Sequence, residues 1–266
     1  MVRGYYVPPH ILRTAPPGPA LLDRFQPGLK VLREALPPDV RVALASGGAG
    51  GDTHRDLSDA ERTRLASFGS ADRRVRFALG RRAARTLAAE RLGCDAADVP
   101  LRIGADGAPR LDGAHLSIAH AGRGGDAVGA AALADRPVGV DVEPIRPRHP
   151  ALWRRILRDD ERPVLDGMGG ATDAAQTLLW SMKEAVLKGQ RTGLRAGARS
   201  VRLTLDRPAR LDAGGAAAVS EASGAWRLAY ADLGGLWLVV AWSATSQRPR
   251  RGRPRRRRSP AASRLV

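Results

Sequence analysis

The stretch from Ala71 to Leu92 constrains the fold more than any other part of the chain. Val75, Leu79, Ala83 and Leu87 recur every four residues, with Ala84, Ala88 and Leu92 beside them. Apolar side chains at that spacing share one face of a helix, and Gly93 supplies a helix stop. A shorter helix is expected just before it, over Leu57–Phe68. There Ser58-Asp59-Ala60-Glu61 has the capping-box pattern, a Ser followed three residues later by Glu. Further helices are expected at Leu152–Leu165 and Thr172–Lys188. Strands are expected at Asp39–Ala45, at Ala127–Ala134 and Val138–Glu143 joined through Asp135-Arg136-Pro137, and at Val201–Leu205, Trp226–Ala231 and Leu236–Trp242. Leu101-Arg102-Ile103 and Leu116-Ser117-Ile118 are short apolar pieces on either side of a turn at Ala105-Asp106-Gly107. Residues 1–37 are rich in proline and give no clear assignment. Helices and strands occur in both halves without a regular βαβ alternation. The expected class is therefore α+β, with two similar-sized halves meeting near residue 144.

Composition narrows the function classes. The 266 residues carry 44 Lys+Arg against 27 Asp+Glu, a formal net charge of +17. Such a charge suggests a nucleic-acid binder, but its distribution does not. The segment Arg248–Arg258 reads RPRRGRPRRRR, and no acidic residue follows Gln247, so residues 1–247 carry only +8. An Arg/Pro run of this kind builds no core and is expected to be a disordered tail over 247–266. It would bind polyanions without sequence preference, and the body shows no nucleic-acid-binding motif. Hydrophobic residues at 43% are enough for a core. The longest strong apolar run, Leu236–Trp242, is far short of a membrane helix, and MVRGYYVPPH is not a secretory leader. The lone Cys94 forms neither a disulfide nor a zinc site within the chain, which fits a cytoplasmic setting; it is expected to be a small buried hydrophobe. Ser46–Asp52 reads SGGAGGD without the ending of a phosphate loop, and is expected to be a connector. No Gly-x-Ser-x-Gly elbow supports a serine hydrolase.

Two fragments can carry chemistry. In Gly139-Val140-Asp141-Val142-Glu143, strand alternation turns Val140 and Val142 inward and puts Asp141 and Glu143 together on the opposite face. Paired carboxylates suit a hard cation such as Mg²⁺, although two acids on an exposed strand face are common without one. In Trp180-Ser181-Met182-Lys183-Glu184-Ala185-Val186-Leu187-Lys188, helical spacing puts Trp180, Glu184 and Lys188 on one face. This is either an ordinary Glu-to-Lys pair with a core Trp, or a third carboxylate beside phosphate-binding ammonium groups. Only three of the 44 basic residues are lysines, and two of them, Lys183 and Lys188, lie here. His120 taken alone reads as structural or exposed. A His115–His120 metal pair lacks a third ligand.

The ordered set of fragments resembles the 4′-phosphopantetheinyl transferases, most closely the larger, surfactin-synthetase-activating type. The resemblance rests on GVDVE and WSMKEAVLK about 40 residues apart, and on Gly107-Ala108-Pro109 followed by Leu116-Ser117-Ile118-Ala119-His120. It also rests on RFALGRRAAR over Arg76–Arg85, on Glu161, and on Thr192-Gly193-Leu194; in all it spans about residues 57–243. It implies two α/β halves, 1–143 and 144–246, related by a pseudo-two-fold, with coenzyme A in the crevice between them. It implies that phosphopantetheine moves from coenzyme A to a serine of an apo acyl or peptidyl carrier protein, with release of 3′,5′-ADP. Carried over by motif, Asp141, Glu143 and Glu184 would bind Mg²⁺, and Glu184 would also be the base. Lys188 would contact phosphate, and Lys183 would support that region. Arg76 and His120 would hold the 3′-phosphate end. Ala108 and Ala119 stand where the family has Lys and Ser, with Arg110 as the neighbouring replacement cation, and Leu157-Arg158 stands in place of Phe-Ser. The resemblance also implies a monomer.

Overall fold

The computed structural model describes residues 12–14, 19–47, 54–192, 197–205, 208–212, 214–221 and 224–245. The Arg/Pro tail, Gly193-Leu194 and most of the glycine connector lie outside the described residues.

The class is α+β. The first sheet has the order β1 (Leu12–Thr14), β2 (Arg41–Ser46), β6 (Val128–Ala134), β5 (His115–Ala121). The second has the order β7 (Val138–Pro144), β10 (Leu236–Ser243), β9 (Gly224–Asp232), β8 (Gly214–Glu221). A two-stranded piece, β3 (Arg102–Ile103) with β4 (Pro109–Arg110), precedes β5. Within each sheet the same arrangement recurs: a strand, a long helix, then a hairpin whose second strand pairs with the first. It is built by β2, β5 and β6 around α3 (Ala71–Leu92), and by β7, β9 and β10 around α6 (Asp173–Gln190).

The long helices start and stop where capping chemistry dictates. Ser70 and Thr172 accept from the third backbone N–H of α3 and α6. Gly93 closes α3 in the left-handed conformation, with φ 68°. In α2 (Asp59–Ala66) both arms of the Ser58–Glu61 capping box are made. Helix α1 (Pro19–Ala35) emerges from the stretch that composition left unassigned; its Phe25, Leu29 and Leu32 are buried. They join Val42 and Leu44 of the first sheet and Val140, Val142, Leu238 and Val240 of the second in one core. Helix α3 covers the other face of the first sheet, and α6 that of the second.

The two strands expected around Asp135-Arg136-Pro137 are present, and three other expectations change. Strands β6 and β7 do follow one another through Asp135-Arg136-Pro137, but they enter different sheets; β7 pairs antiparallel with β10. The helical candidate over Leu152–Leu165 is broken into α4 (Pro150–Ile156), a 3-10 turn at Asp159–Glu161 and α5 (Arg162–Gly167). Val201–Leu205 forms no strand: Val201 and Leu203 are buried, and the Leu203 N–H donates to Glu161 Oε1 at 2.9 Å rather than to a ladder. Cys94 is exposed, because the chain has already turned out of α3 at Gly93.

Each helix approaches its sheet backbone to backbone at glycine. A Cβ at Gly139 on β7 would lie 1.8 Å from the Ala185 carbonyl oxygen of α6. A Cβ at Gly129 on β6 would lie 2.3 Å from the Gly80 nitrogen of α3. The first approach fixes the distance between the residues that form the candidate site.

Candidate active site at the seam of the two sheets

Strand β7 runs beside β5 at the seam, and the Val140 N–H donates to Ser117 Oγ at 3.1 Å across it. Val140 and Val142 are buried in the shared core. Asp141 therefore faces α6, where Ser181 Oγ donates to Oδ2 at 2.7 Å and Lys188 Nζ reaches Oδ1 at 2.6 Å. Asp141 is 4% exposed. Two residues on, Glu143 accepts from Arg148 Nη2 at 2.6 Å. The Arg148 guanidinium also lies 4.9 Å from the ring centroid of Trp180, which packs edge-on against Trp153.

Glu184, one helical turn before Lys188, completes the cluster. Its Oε1 is buried and has no hydrogen-bond partner. Desolvation and then the Asp141 charge push its pKa up to about 7; Glu143 adds to this and Lys188 opposes it. Burial and Asp141 also raise Glu143, against Arg148. An unpartnered buried carboxylate oxygen beside two further carboxylates is an oxygen-only donor set of the kind that suits a hard divalent cation. Among the described residues no three His, Cys, Asp or Glu side chains are arranged so that they could hold a metal ion as they stand. Lys188 and Arg148 instead hold oxygens of Asp141 and Glu143.

Two cavities flank this centre. One, of about 450 Å³, is lined by Arg76, His120, Arg123, Arg146 and Arg148 around Glu143. Arg76 donates to the Gly122 carbonyl at 3.2 Å. His120 is held below the usual histidine range by desolvation, and the cations of Lys188 and Arg76 push the same way. Arginines gathered in this way give the cleft a positive potential. The other cavity, of about 400 Å³, opens between the Asp106–Pro109 turn of the first unit and Lys188 and Arg191 of the second, with Leu116 and Ile118 as an apolar wall.

The structure brings together Asp141, Glu143, Glu184 and Lys188, and sets Arg76 and His120 in the cleft beside them. It turns Lys183 elsewhere, which corrects its expected place near the reacting groups. Lys183 is fully buried, with Nζ 2.7 Å from Glu161 Oε2 and 3.0 Å from the Ile156 carbonyl. Burial lowers its pKa, against the pull of Glu161. Arg110 also departs from its expected role: it is engaged by Asp106 on the same hairpin and lines neither cavity. Ser181, Arg148 and Arg191 were not singled out in advance. Ser181 stands seven residues before Lys188, a spacing that would have placed both on one face. Arg148 sits in a loop, where no periodicity applies.

The family comparison falls on this region. Residues 137–232, from the link before β7 through β9, match the family model of the 4′-phosphopantetheinyl transferase superfamily. The match includes Asp141, Glu143, Glu184 and Lys188, and it supports phosphopantetheine transfer as the class of activity. Coenzyme A and a carrier protein are the partners the superfamily implies in general. No curated protein matches the chain.

Proposed function

We propose that the chain transfers the 4′-phosphopantetheine group of coenzyme A to a serine hydroxyl of an apo carrier protein, as a member of the larger, surfactin-synthetase-activating type. The observation that carries this reading is the convergence of Asp141, Glu143 and Glu184 with Lys188 at the seam, inside the superfamily match. The shared strand order of the two sheet units supports a pseudo-two-fold relation with the site between them.

In the proposed reaction the serine oxygen bonds to the phosphorus nearest the pantetheine. The bond from that phosphorus to the bridging oxygen breaks, and 3′,5′-ADP leaves with the electron pair. Asp141, Glu143 and Glu184 would hold Mg²⁺, which when bound neutralises charge developing on the pyrophosphate. Glu184 is suited to take the serine proton, directly or through one water, because a base with a pKa of about 7 is poised at neutral pH. Lys188 would move from Asp141 to a phosphate oxygen that becomes negative as the bond breaks. Arg76 and His120 would bind the 3′-phosphate in the basic cleft. Lys183 supports the site only indirectly, by anchoring α6 to Glu161. The protein would act as a cytoplasmic monomer. Among the described residues no helix is long and apolar enough to cross a membrane.

The test is a mass measurement. The full chain is incubated with coenzyme A, Mg²⁺ and apo carrier proteins of polyketide, nonribosomal-peptide and fatty-acid type. A carrier that gains one phosphopantetheine supports the reading; no gain with any of them removes it. Asp141→Ala should abolish the gain while keeping the native circular dichroism.

A further inference from the structure

The backbone carries an exception at the end of α6. Among the described residues eleven glycines adopt positive φ, and Arg191 alone does so with a side chain, at φ 61° and ψ 22°. The two long helices close on the same left-handed cap, α3 with Gly93 at φ 68° and α6 with Arg191. Glycine reaches this conformation without a Cβ penalty, whereas an L side chain does not. Local convenience therefore favours glycine at both caps, and the chain has 30 glycines overall. A strained backbone is retained where the side chain it carries has a use.

The position of Arg191 indicates that use. The cap of α3 adjoins the exposed Cys94, whereas Arg191 lines the cavity at the seam together with Lys188. Asp106, the acid on the opposite wall, is already engaged by Arg110 and the Ala108 N–H. Among the described residues no carboxylate pairs with Arg191, while Lys188 is held by Asp141. The cavity is thus lined by a permanently charged residue three positions beyond Lys188 and seven beyond Glu184 of the carboxylate cluster. Pro109, Leu116 and Ile118 add apolar lining beside Asp106. A guanidinium in such a place matches a phosphate oxygen pair.

We propose that Arg191 is a binding residue for the donor: it grips a phosphate group of coenzyme A from the α6 side of the seam, and the left-handed cap is kept to aim it there. This rests on the transferase reading above and adds to it a contact outside the carboxylate cluster and the His120 cleft.

The experiment compares wild type with Arg191→Gly, Arg191→Asn and Arg191→Lys in the full chain. Binding of coenzyme A and of 3′,5′-ADP is measured by calorimetry, transfer by steady-state kinetics, and stability by thermal unfolding. Glycine and asparagine suit the cap, so both variants should unfold at or above the wild-type temperature. Both should weaken coenzyme A and 3′,5′-ADP about 10-fold to 100-fold, the usual loss for a charge-assisted hydrogen bond. The loss should appear in KM for coenzyme A with kcat nearly unchanged, and Arg191→Lys should recover part of it. Unchanged affinity in Arg191→Gly, with a wild type that binds coenzyme A, overturns the Arg191 assignment and leaves the transferase reading standing. A wild type that binds neither coenzyme A nor 3′,5′-ADP overturns both. Weaker binding accompanied by equal thermal destabilisation in the Gly and Asn variants assigns Arg191 to the cap, and so also overturns the proposal.

Discussion

Replacing Lys183 by Met separates a structural lysine from a catalytic one. In the native chain the ammonium is wholly buried and lies 2.7 Å from Glu161 Oε2. Glu161, also fully buried, further accepts the Arg158 N–H and the Leu203 N–H, each at 2.9 Å. It thereby ties together the broken α4–α5 segment, the irregular stretch after α6 and α6 itself. Removing the ammonium leaves a buried carboxylate with two backbone donors and no counter-charge. Breaking a buried pair from one side costs about 3–5 kcal/mol. For a chain of this size each kcal/mol lowers the melting temperature by roughly 2–4 °C, so the shift should be about 6–20 °C. Urea unfolding and calorimetry would read it, with transfer kinetics taken well below the transition. Folded Lys183→Met should retain transfer within about threefold of wild type, since Asp141, Glu184 and Lys188 keep their own contacts. The double variant Lys183→Met/Glu161→Gln should regain part of the stability, because it leaves no unpaired buried charge and the amide oxygen still accepts a backbone N–H. If Lys183→Met melted like wild type while transfer fell a hundredfold or more, the ammonium would belong to the chemistry, and the placement argued above would be refuted.

Two further outcomes follow from the same geometry. Glu184 is raised from 4.5 to about 7, so the folded chain keeps a proton that the unfolded chain releases. Its contribution to stability is present below about pH 4.5 and is lost as pH rises through about 7. Urea midpoints of the chelator-treated protein at pH 5 and pH 8 should therefore differ more in wild type than in Glu184→Gln; equal differences would contradict the raised pKa. Gly139→Ala places a methyl 1.8 Å from the Ala185 carbonyl and must push β7 from α6. It should destabilise by about 3 kcal/mol or more and cut transfer in the surviving folded fraction. Gly129→Ala makes a similar clash with α3 in the other unit, so it should destabilise while sparing kcat. Similar effects of both on kcat would break the link between that approach and the site.

What could be read along the chain was what short-range chemistry decides. Helix α3 was legible to the residue because its apolar period and its terminal glycine lie within the 23 consecutive positions Ala71–Gly93. The Ser58–Glu61 box was legible for the same reason. Helix α1 was not, since Pro27 and Gly28 obscure its pattern; Gly28 is there because the Asp232 carbonyl presses against it. Val201–Leu205 alternates like a strand, but among the described residues only Leu205 enters a bridge, and alternation alone makes no ladder. In the site, β7 alternation correctly put Asp141 and Glu143 opposite Val140 and Val142. The two α6 lysines, five residues apart, point in different directions because a helix turns about 100° per residue. Nothing in the helix says which carboxylate each of them meets.

The sequence by itself determined the local elements, the class α+β, the paired carboxylates and the family resemblance, all of which depend on residue type at close spacing. Only the tertiary structure decided that β7 leaves its chain neighbour β6 to pair with β10. The same holds for Lys188 facing Asp141 while Lys183 is sealed against Glu161, and for Arg191 lining the seam. These depend on which surfaces meet across 20 to 100 residues of chain. Burial and charge pairing act between surfaces rather than along the backbone, so their outcome is settled only when the two sheets close over their shared core.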